Sequence, residues 1–304
     1  MRKNDRHTTR IILTATALIT ALILFTACSR TADTSGTPDN SKNGKSKQTT
    51  KTERASESAA EPSEDPSTKE SASKTAKELL TPIKSSAKTK KKTVKKKLVA
   101  IDAGHQTHAN LKKEQMDPDK KTKKIKVTGG TQGVATRVPE YKLNLAVAKK
   151  LQKELKARGY NVYMVRAKNN VNLSNKTRAR RVNKKKADIY IRLHANAATS
   201  SAVHGACALY KPSTNSYVTV KVVKKNKKLS RLLLNAMCKK TGARKEGLFK
   251  RDDLTGSNWS KVPTTLIEMG YMTNRAEDKK MQKKSYQKKI AVGIANGVDQ
   301  YFGK

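Results

Sequence analysis

The sequence encodes an α/β domain on one mostly parallel central sheet, with helices on both faces and a disordered tail ahead of it. Three observations carry that reading. From Leu98 onward, short apolar runs of strand length alternate with amphipathic segments of helix length, the pattern of parallel βαβ units. Over 304 residues the apolar fraction is 35%, below the roughly 45–50% of globular chains, so part of the chain does not pack. Residues 29–97 are almost devoid of large apolar and aromatic side chains, which places the unpacked part there.

At the start, Arg2, Lys3, Arg6 and Arg10 precede the apolar run Ile11–Ala27, the charged and hydrophobic regions of an export signal. The run is short for a membrane span. It ends Phe25-Thr26-Ala27-Cys28, which resembles a bacterial lipobox with Phe25 where leucine is usual. Residues 1–27 are expected to be a lipoprotein-type signal peptide and Cys28 the lipidated residue, the alternative being an uncleaved membrane anchor with an incidental Cys28. Residues 28–97 are Ser, Thr, Lys, Glu, Ala and Pro, and cannot bury enough surface to offset their ordering entropy. They read as a disordered low-complexity linker, charge-mixed around Glu53–Glu70 and basic over Lys88–Lys97, tethering residues 98–304 to the membrane while leaving reach into the wall.

The folded part opens with Leu98-Val99-Ala100-Ile101, a buried-strand run closed by Asp-Ala-Gly. The Lys-rich stretch Lys112–Lys126 reads as an exposed loop. Leu143, Ala146, Val147, Leu151 and Leu155 recur at helical spacing over Glu140–Arg158, and Gly159 stops the helix. Tyr160–Val165 is a strand. Ser174 caps a helix running to about Lys186, and Asp188–Leu193 is the next strand. Ala206–Tyr210 is a strand closed by Lys211-Pro212. A helix around Lys228–Lys240, a strand over Thr264–Ile267 and a helix around Ser285–Phe302 complete the domain. No internal repeat is present.

Composition narrows the partners. Net charge is +43 and the pI near 10.3, which calls for an anionic partner: nucleic acid, a lipid surface, or a polymer such as teichoic acid. The export signal argues against nucleic acid, as does an aromatic content of 4%, too low for stacking platforms. The domain from Leu98 carries 46 basic against 14 acidic residues, so most of the excess belongs to the folded part. It reads as salt-sensitive attraction to anionic wall polymers or a membrane surface. The Lys and Arg clusters read as solvated faces, with no basic residue given a role of its own. Three cysteines form no disulfide framework; Cys207 and Cys238 read as buried thiols that an exported protein could pair if their Cα atoms came within about 7 Å.

The chemistry lies at strand ends. His105 and His194 each follow an apolar strand, and the strand Thr264–Ile267 runs straight into Glu268. In an open parallel sheet all three emerge at the carboxyl edge, where ligands bind. Ionisable groups converging there need a reason, and a metal with a general base beside it supplies one. Glu140, opening the first long helix after the turn-rich stretch Gly129–Pro139, is the natural third ligand. Two imidazoles and a carboxylate leave a fourth position for water, as in catalytic zinc sites. One Zn2+ per chain is expected, with Glu268 as the proton carrier. Asp102 is a candidate acceptor for a ligand imidazole and Asn196 a candidate substrate or ligand contact, although both also suit turns. His108 and His204 sit in polar stretches and read as exposed. Trp259 and Tyr271 line the cleft or cap the core.

These segments carry a family resemblance. Val-Ala-Ile-Asp-Ala-Gly-His105, Glu140-Tyr-Lys-Leu-Asn-Leu-Ala, Ile-Arg-Leu-His194-Ala-Asn-Ala and Leu-Ile-Glu268-Met-Gly-Tyr-Met-Thr-Asn resemble, in order, those of bacterial zinc-dependent N-acetylmuramoyl-L-alanine amidases of the amidase-3 type. The resemblance spans about Leu98–Phe302. It implies zinc on His105, Glu140 and His194, Glu268 as catalytic carboxylate, peptidoglycan as substrate, and cleavage between the lactyl group of N-acetylmuramic acid and L-alanine. Many members have Gly-Gly after the first histidine where this chain has Gln106-Thr107, and the helix that plugs the site in some members has no clear counterpart. The residues alone also fit a zinc peptidase acting within the stem peptide, or a non-catalytic wall-binding lipoprotein. An extracytoplasmic location follows under each.

Overall fold

The computed structural model describes residues 96–304; the expected signal peptide, Cys28 and nearly all of the expected linker lie outside the described residues. The sheet comprises β1 (Leu98–Ala103), β4 (Asn161–Met164), β5 (Ile189–Asn196), β6 (Ala206–Tyr210), β7 (Lys245–Lys250) and β8 (Thr264–Tyr271), in the order β4-β1-β5-β8-β6-β7. All neighbours run parallel except β6 and β8. This is the mostly parallel sheet anticipated, with one added strand: Lys245–Lys250 alternates too weakly to read as β, and pairing with β6 makes it one.

One face is covered by α1 (Glu140–Ala157), α3 (Val220–Thr241) and α6 (Lys284–Phe302). Leu143, Val147, Leu151 and Leu155 of α1, Leu229 and Leu233 of α3, and Ile290 and Ile294 of α6 meet Val99, Ile101, Ile189, Ile191 and Ile267 in the main core. Alternation along the strands turns their other residues to the opposite face. There α2 (Asn175–Lys184) and the short α4 (Thr255–Asn258) enclose a smaller core around Ala100, Tyr190, Val182 and Trp259. A last helix, α5 (Arg275–Gln282), follows β8.

Local signals explain the boundaries. Ser174 caps α2 by accepting from the Thr177 amide, as its sequence position anticipates. Thr219 caps α3 through the Val222 amide and Gly242, at φ 70°, ends it. That cap starts α3 at Val220, well before the Lys228 at which the sequence reading begins it. Among the described residues no helix is long and apolar enough to cross a membrane.

One expectation is overturned. Lys112–Lys126 is not a loop but a hairpin, β2 (Asn110–Asp117) and β3 (Lys120–Val127), paired antiparallel. Lysines on both strands hide its alternation; tertiary contacts supply what propensity lacks. Trp259 Nε1 donates to the Gln115 carbonyl, Asn175 donates to the Lys126 carbonyl, and buried Lys211 contacts buried Asp117 at 3.4 Å. The hairpin therefore lies on the α2/α4 face and delivers Thr128 to the sheet edge.

Candidate metal centre

Three side chains meet at the carboxyl edge of the sheet. His105 follows β1 with φ 60°, a left-handed conformation that costs a non-glycine residue about 1–2 kcal/mol. Its Nδ1 lies 3.0 Å from the Thr128 carbonyl oxygen. A carbonyl only accepts, so Nδ1 carries the proton and the Nε2 lone pair is turned into the site. His194, in β5, presents Nδ1 to the same point, 3.2 Å from His105 Nε2. Its ring packs against Gly104, where a Cβ would fall 2.2 Å from the ring. Burial pushes the His194 imidazole down to about 4, so it is neutral, as a ligand must be.

Glu140 opens α1 after Pro139. Its Oε1 accepts from Asn144 and the Ala195 amide, and its Oε2 from the Thr131 amide. Burial would raise its pKa; the adjoining His105 and His194 more than offset that and hold it well below the ordinary carboxylate value. Glu140 Oε2 is 3.2 Å from His105 Nε2 and Glu140 Oε1 is 3.2 Å from His194 Nδ1. With zinc–ligand bonds of about 2.0–2.1 Å, the ligand atoms of a tetrahedral site lie about 3.3 Å apart. Two imidazole nitrogens and a carboxylate at this spacing fit zinc. Among the described residues this is the one group of three or more His, Cys, Asp or Glu side chains close enough to share an ion.

Glu268 stands opposite His194 in the β5–β8 register and opposite Cys207 in the β6–β8 register. It is not at a strand end, since β8 continues to Tyr271. Its side chain emerges on the same face as that of His194. Burial first, and then the charge of Glu140, raise its pKa well above the ordinary value. Its Oε2 is buried and makes no hydrogen bond within the protein.

The neighbours depart from expectation. Asp102 accepts from no imidazole; its oxygens are taken by Arg178 (2.7 Å), Tyr190 (2.9 Å) and Arg192 (3.2 Å). Its link to the site runs through Arg178, which is fully buried and also donates to the carbonyls of Ala103 and His105 and to Gln106 Oε1. Arg166 clamps the same turn through the carbonyls of Ala103 and Gly104. Gln106 is buried, bonded to the His108 carbonyl and the Leu173 amide, and so braces the loop from within. Asn196 closes its own turn by accepting from the Ala197 amide. His108 is exposed, and His204 Nδ1 donates to the Ala202 carbonyl. Cys207 and Cys238 are both buried and form no disulfide. Trp259 belongs to the smaller core, and the Tyr271 hydroxyl donates to Glu246. Thr128, Arg166 and Arg178 are the functional neighbours that sequence reasoning missed. The Gly129-Gly130 pair was the available signal for Thr128, since a Cβ at Gly130 would meet Glu140 Oε2 at 2.6 Å.

Comparison with known proteins follows the same line. A family model described as N-acetylmuramoyl-L-alanine amidase matches residues 99–300. The chain is 26% identical over 164 residues to YqiI, an uncharacterized protein of Bacillus subtilis, across 54% of this chain and 74% of that one. It is 27% identical over 163 residues to the N-acetylmuramoyl-L-alanine amidase LytC of Bacillus subtilis, across 54% of this chain and only 31% of LytC. Among solved structures it resembles the catalytic domain of CwlV, an N-acetylmuramoyl-L-alanine amidase from Bacillus (Paenibacillus) polymyxa var. colistinus. That match has a TM-score of 0.54 and 25% identity, over 68% of this chain and 98% of that one.

Proposed function

The chain belongs to the N-acetylmuramoyl-L-alanine amidase family, and on that premise we propose that it hydrolyses the amide joining the lactyl group of N-acetylmuramic acid to L-alanine in peptidoglycan, at a zinc site held by His105, Glu140 and His194. The observation that carries the site is the mutual 3.2 Å spacing of the two imidazole nitrogens and the carboxylate. A zinc ion bound there supplies a Lewis acid that polarises the amide carbonyl and acidifies water.

The protein's own groups do the rest. Thr128 fixes the His105 tautomer, Asn144 and the Thr131 and Ala195 amides fix the Glu140 carboxylate, and Gly104 lets the His194 ring lie flat against the turn. Glu268 Oε2 takes a proton from the attacking water and returns it to the leaving nitrogen of L-alanine. Its lack of a hydrogen-bond partner within the protein keeps that oxygen available. Residues 1–27 would direct export, lipidated Cys28 would anchor the chain on the outer face of the membrane, and residues 28–97 would give the catalytic domain reach into the wall. The basic domain would hold it near anionic wall polymers or the membrane surface. The arrangement of Arg2–Arg10, Ile11–Ala27 and Cys28 supports this placement.

Digestion of purified peptidoglycan followed by mass spectrometry of the new ends tests the reaction. Free lactyl carboxyls paired with N-terminal L-alanine are expected; ends inside the stem would instead identify a peptidase, and wall binding without any new ends a non-catalytic protein. Metal analysis should find one zinc per chain. A chelator should abolish lysis, and added zinc should restore it. Glu268→Gln should keep the zinc and lose about 10²–10⁴-fold in turnover; full activity in that variant would remove Glu268 from the proton path.

A further inference from the structure

Helix α3 runs for 22 residues without one acidic side chain. Lys221, Lys224, Lys225, Lys227, Lys228 and Arg231 are all exposed along its outer side. Their spacings of three and four residues put like charges next to one another, which destabilises a helix. Among the described residues no ion pair involves any of them. The hairpin, α1 and α2 also carry lysines without an ion pair, but each sets part of its charge against a partner. On the hairpin Lys124 pairs with Asp253, on α1 Arg158 pairs with Glu154 and Asp299, and on α2 Lys176 sits 3.8 Å over the Trp259 ring while Arg178 is spent on Asp102. The α3 cations are a row of about 15 Å, at 1.5 Å rise per residue, that meets no acidic side chain among the described residues; Lys228 Nζ lies 5.8 Å from the Tyr301 ring centroid.

We propose that the outer face of α3 binds a linear phosphodiester polyanion of the cell envelope. The proposal rests on the extracytoplasmic reading above. Helix α3 packs on the sheet face opposite the side chains of His194 and Glu268, so a polymer held there leaves the metal centre open to a second ligand. A row of uncompensated point charges matches a chain that carries one negative charge per repeat. A membrane fits less well. Leu229, Leu233, Leu234 and Met237 are all buried against the sheet, and Val220 at the first turn is the one large apolar side chain exposed on α3, so the helix has no apolar face to insert.

The test is binding of the full chain to immobilised poly(glycerol phosphate) over a series of salt concentrations, with phosphatidylglycerol vesicles as a parallel probe. The variant Lys224→Gln/Lys227→Gln/Lys228→Gln/Arg231→Gln should lose at least about tenfold in affinity for the polymer near 0.1 M salt. Its slope of log affinity against log salt should flatten by about 3, from the relation of about 0.7 per released counterion for single-stranded polyanions. Glutamine has nearly the helix propensity of lysine, and unchanged circular dichroism and Tm would show that the fold is retained. A hairpin variant with the same charge loss, Lys112→Gln/Lys120→Gln/Lys121→Gln/Lys123→Gln, should flatten the slope by less than about 1. Equal losses in the two variants would overturn the assignment to α3. Loss of vesicle binding alone would assign the face to the membrane. Failure of the unaltered chain to bind polymer while still releasing N-terminal L-alanine would sink this inference alone; polymer binding without that release would sink the amidase reading alone.

Discussion

Asp102 is fully buried, and burial by itself would push its pKa up, yet the guanidinium groups of Arg178 and Arg192 and the hydrogen bonds from Arg178 and Tyr190 hold it below the ordinary carboxylate value. A carboxylate whose folded pKa is depressed contributes stability above its unfolded pKa, about 3.9, and loses that contribution as pH falls toward the folded value. Asp102→Asn should therefore cost about 3–5 kcal/mol at pH 7, because it leaves two buried guanidiniums without their counter-charge. The gap between variant and parent should narrow from about pH 4 downward, where the unfolded chain takes up the proton that folded Asp102 resists. Urea unfolding at pH 7 and pH 3 measures both; a gap independent of pH would show that the carboxylate is not the anchor of this network. At this scale the chain was unevenly legible. His105, His194 and Glu268 follow directly from apolar runs, so their place at one sheet edge could be read without coordinates. Arg178 and Arg166 could not, because two buried guanidiniums look like any of the 67 basic residues until the fold surrounds them.

Helices α3 and α6 touch backbone to backbone. A Cβ on Gly297 would lie 2.6 Å from Leu233 Cα, and one on Gly293 would lie 2.7 Å from Met237 Cα. Nothing at those contacts is the flexible end of a side chain, so a methyl group would have to part the two helices. Gly297→Ala should destabilise the domain by about 1–3 kcal/mol despite its better helix propensity. Thermal unfolding should register this as a Tm lowered by several degrees; a raised Tm would mean that propensity outweighs the contact. The periodicity of α1 and the cap of α2 were readable because each rests on local spacing, whereas α3 was placed only over its second half. The hairpin β2–β3 was not, because its strands are held by Trp259, Asn175 and Lys211, which arrive from later in the chain. That hairpin is also what carries Thr128 to His105, so the misread element and the unread site residue have one physical cause.

The whole domain concentrates positive charge on a small volume, 46 basic against 14 acidic residues from Leu98 onward. Self-repulsion of this kind raises the free energy of the compact state relative to the expanded chain, and salt screens it over a Debye length that falls from about 10 Å at 0.1 M to about 3 Å at 1 M. The same screening weakens attraction to any anionic surface. Stability and adsorption must then respond to salt with opposite signs. Between about 0.1 M and 1 M sodium chloride the Tm should rise while retention on purified cell walls falls. Differential scanning fluorimetry and wall sedimentation on the same protein measure both. A Tm that falls together with retention would mean that the buried pairs of Asp102 and Lys211 outweigh surface repulsion in setting stability. With the predicted signs, the charge costs the fold stability that screening restores. A domain so charged should then gain stability from any dense polyanion, and adding poly(glycerol phosphate) in place of salt should raise its Tm.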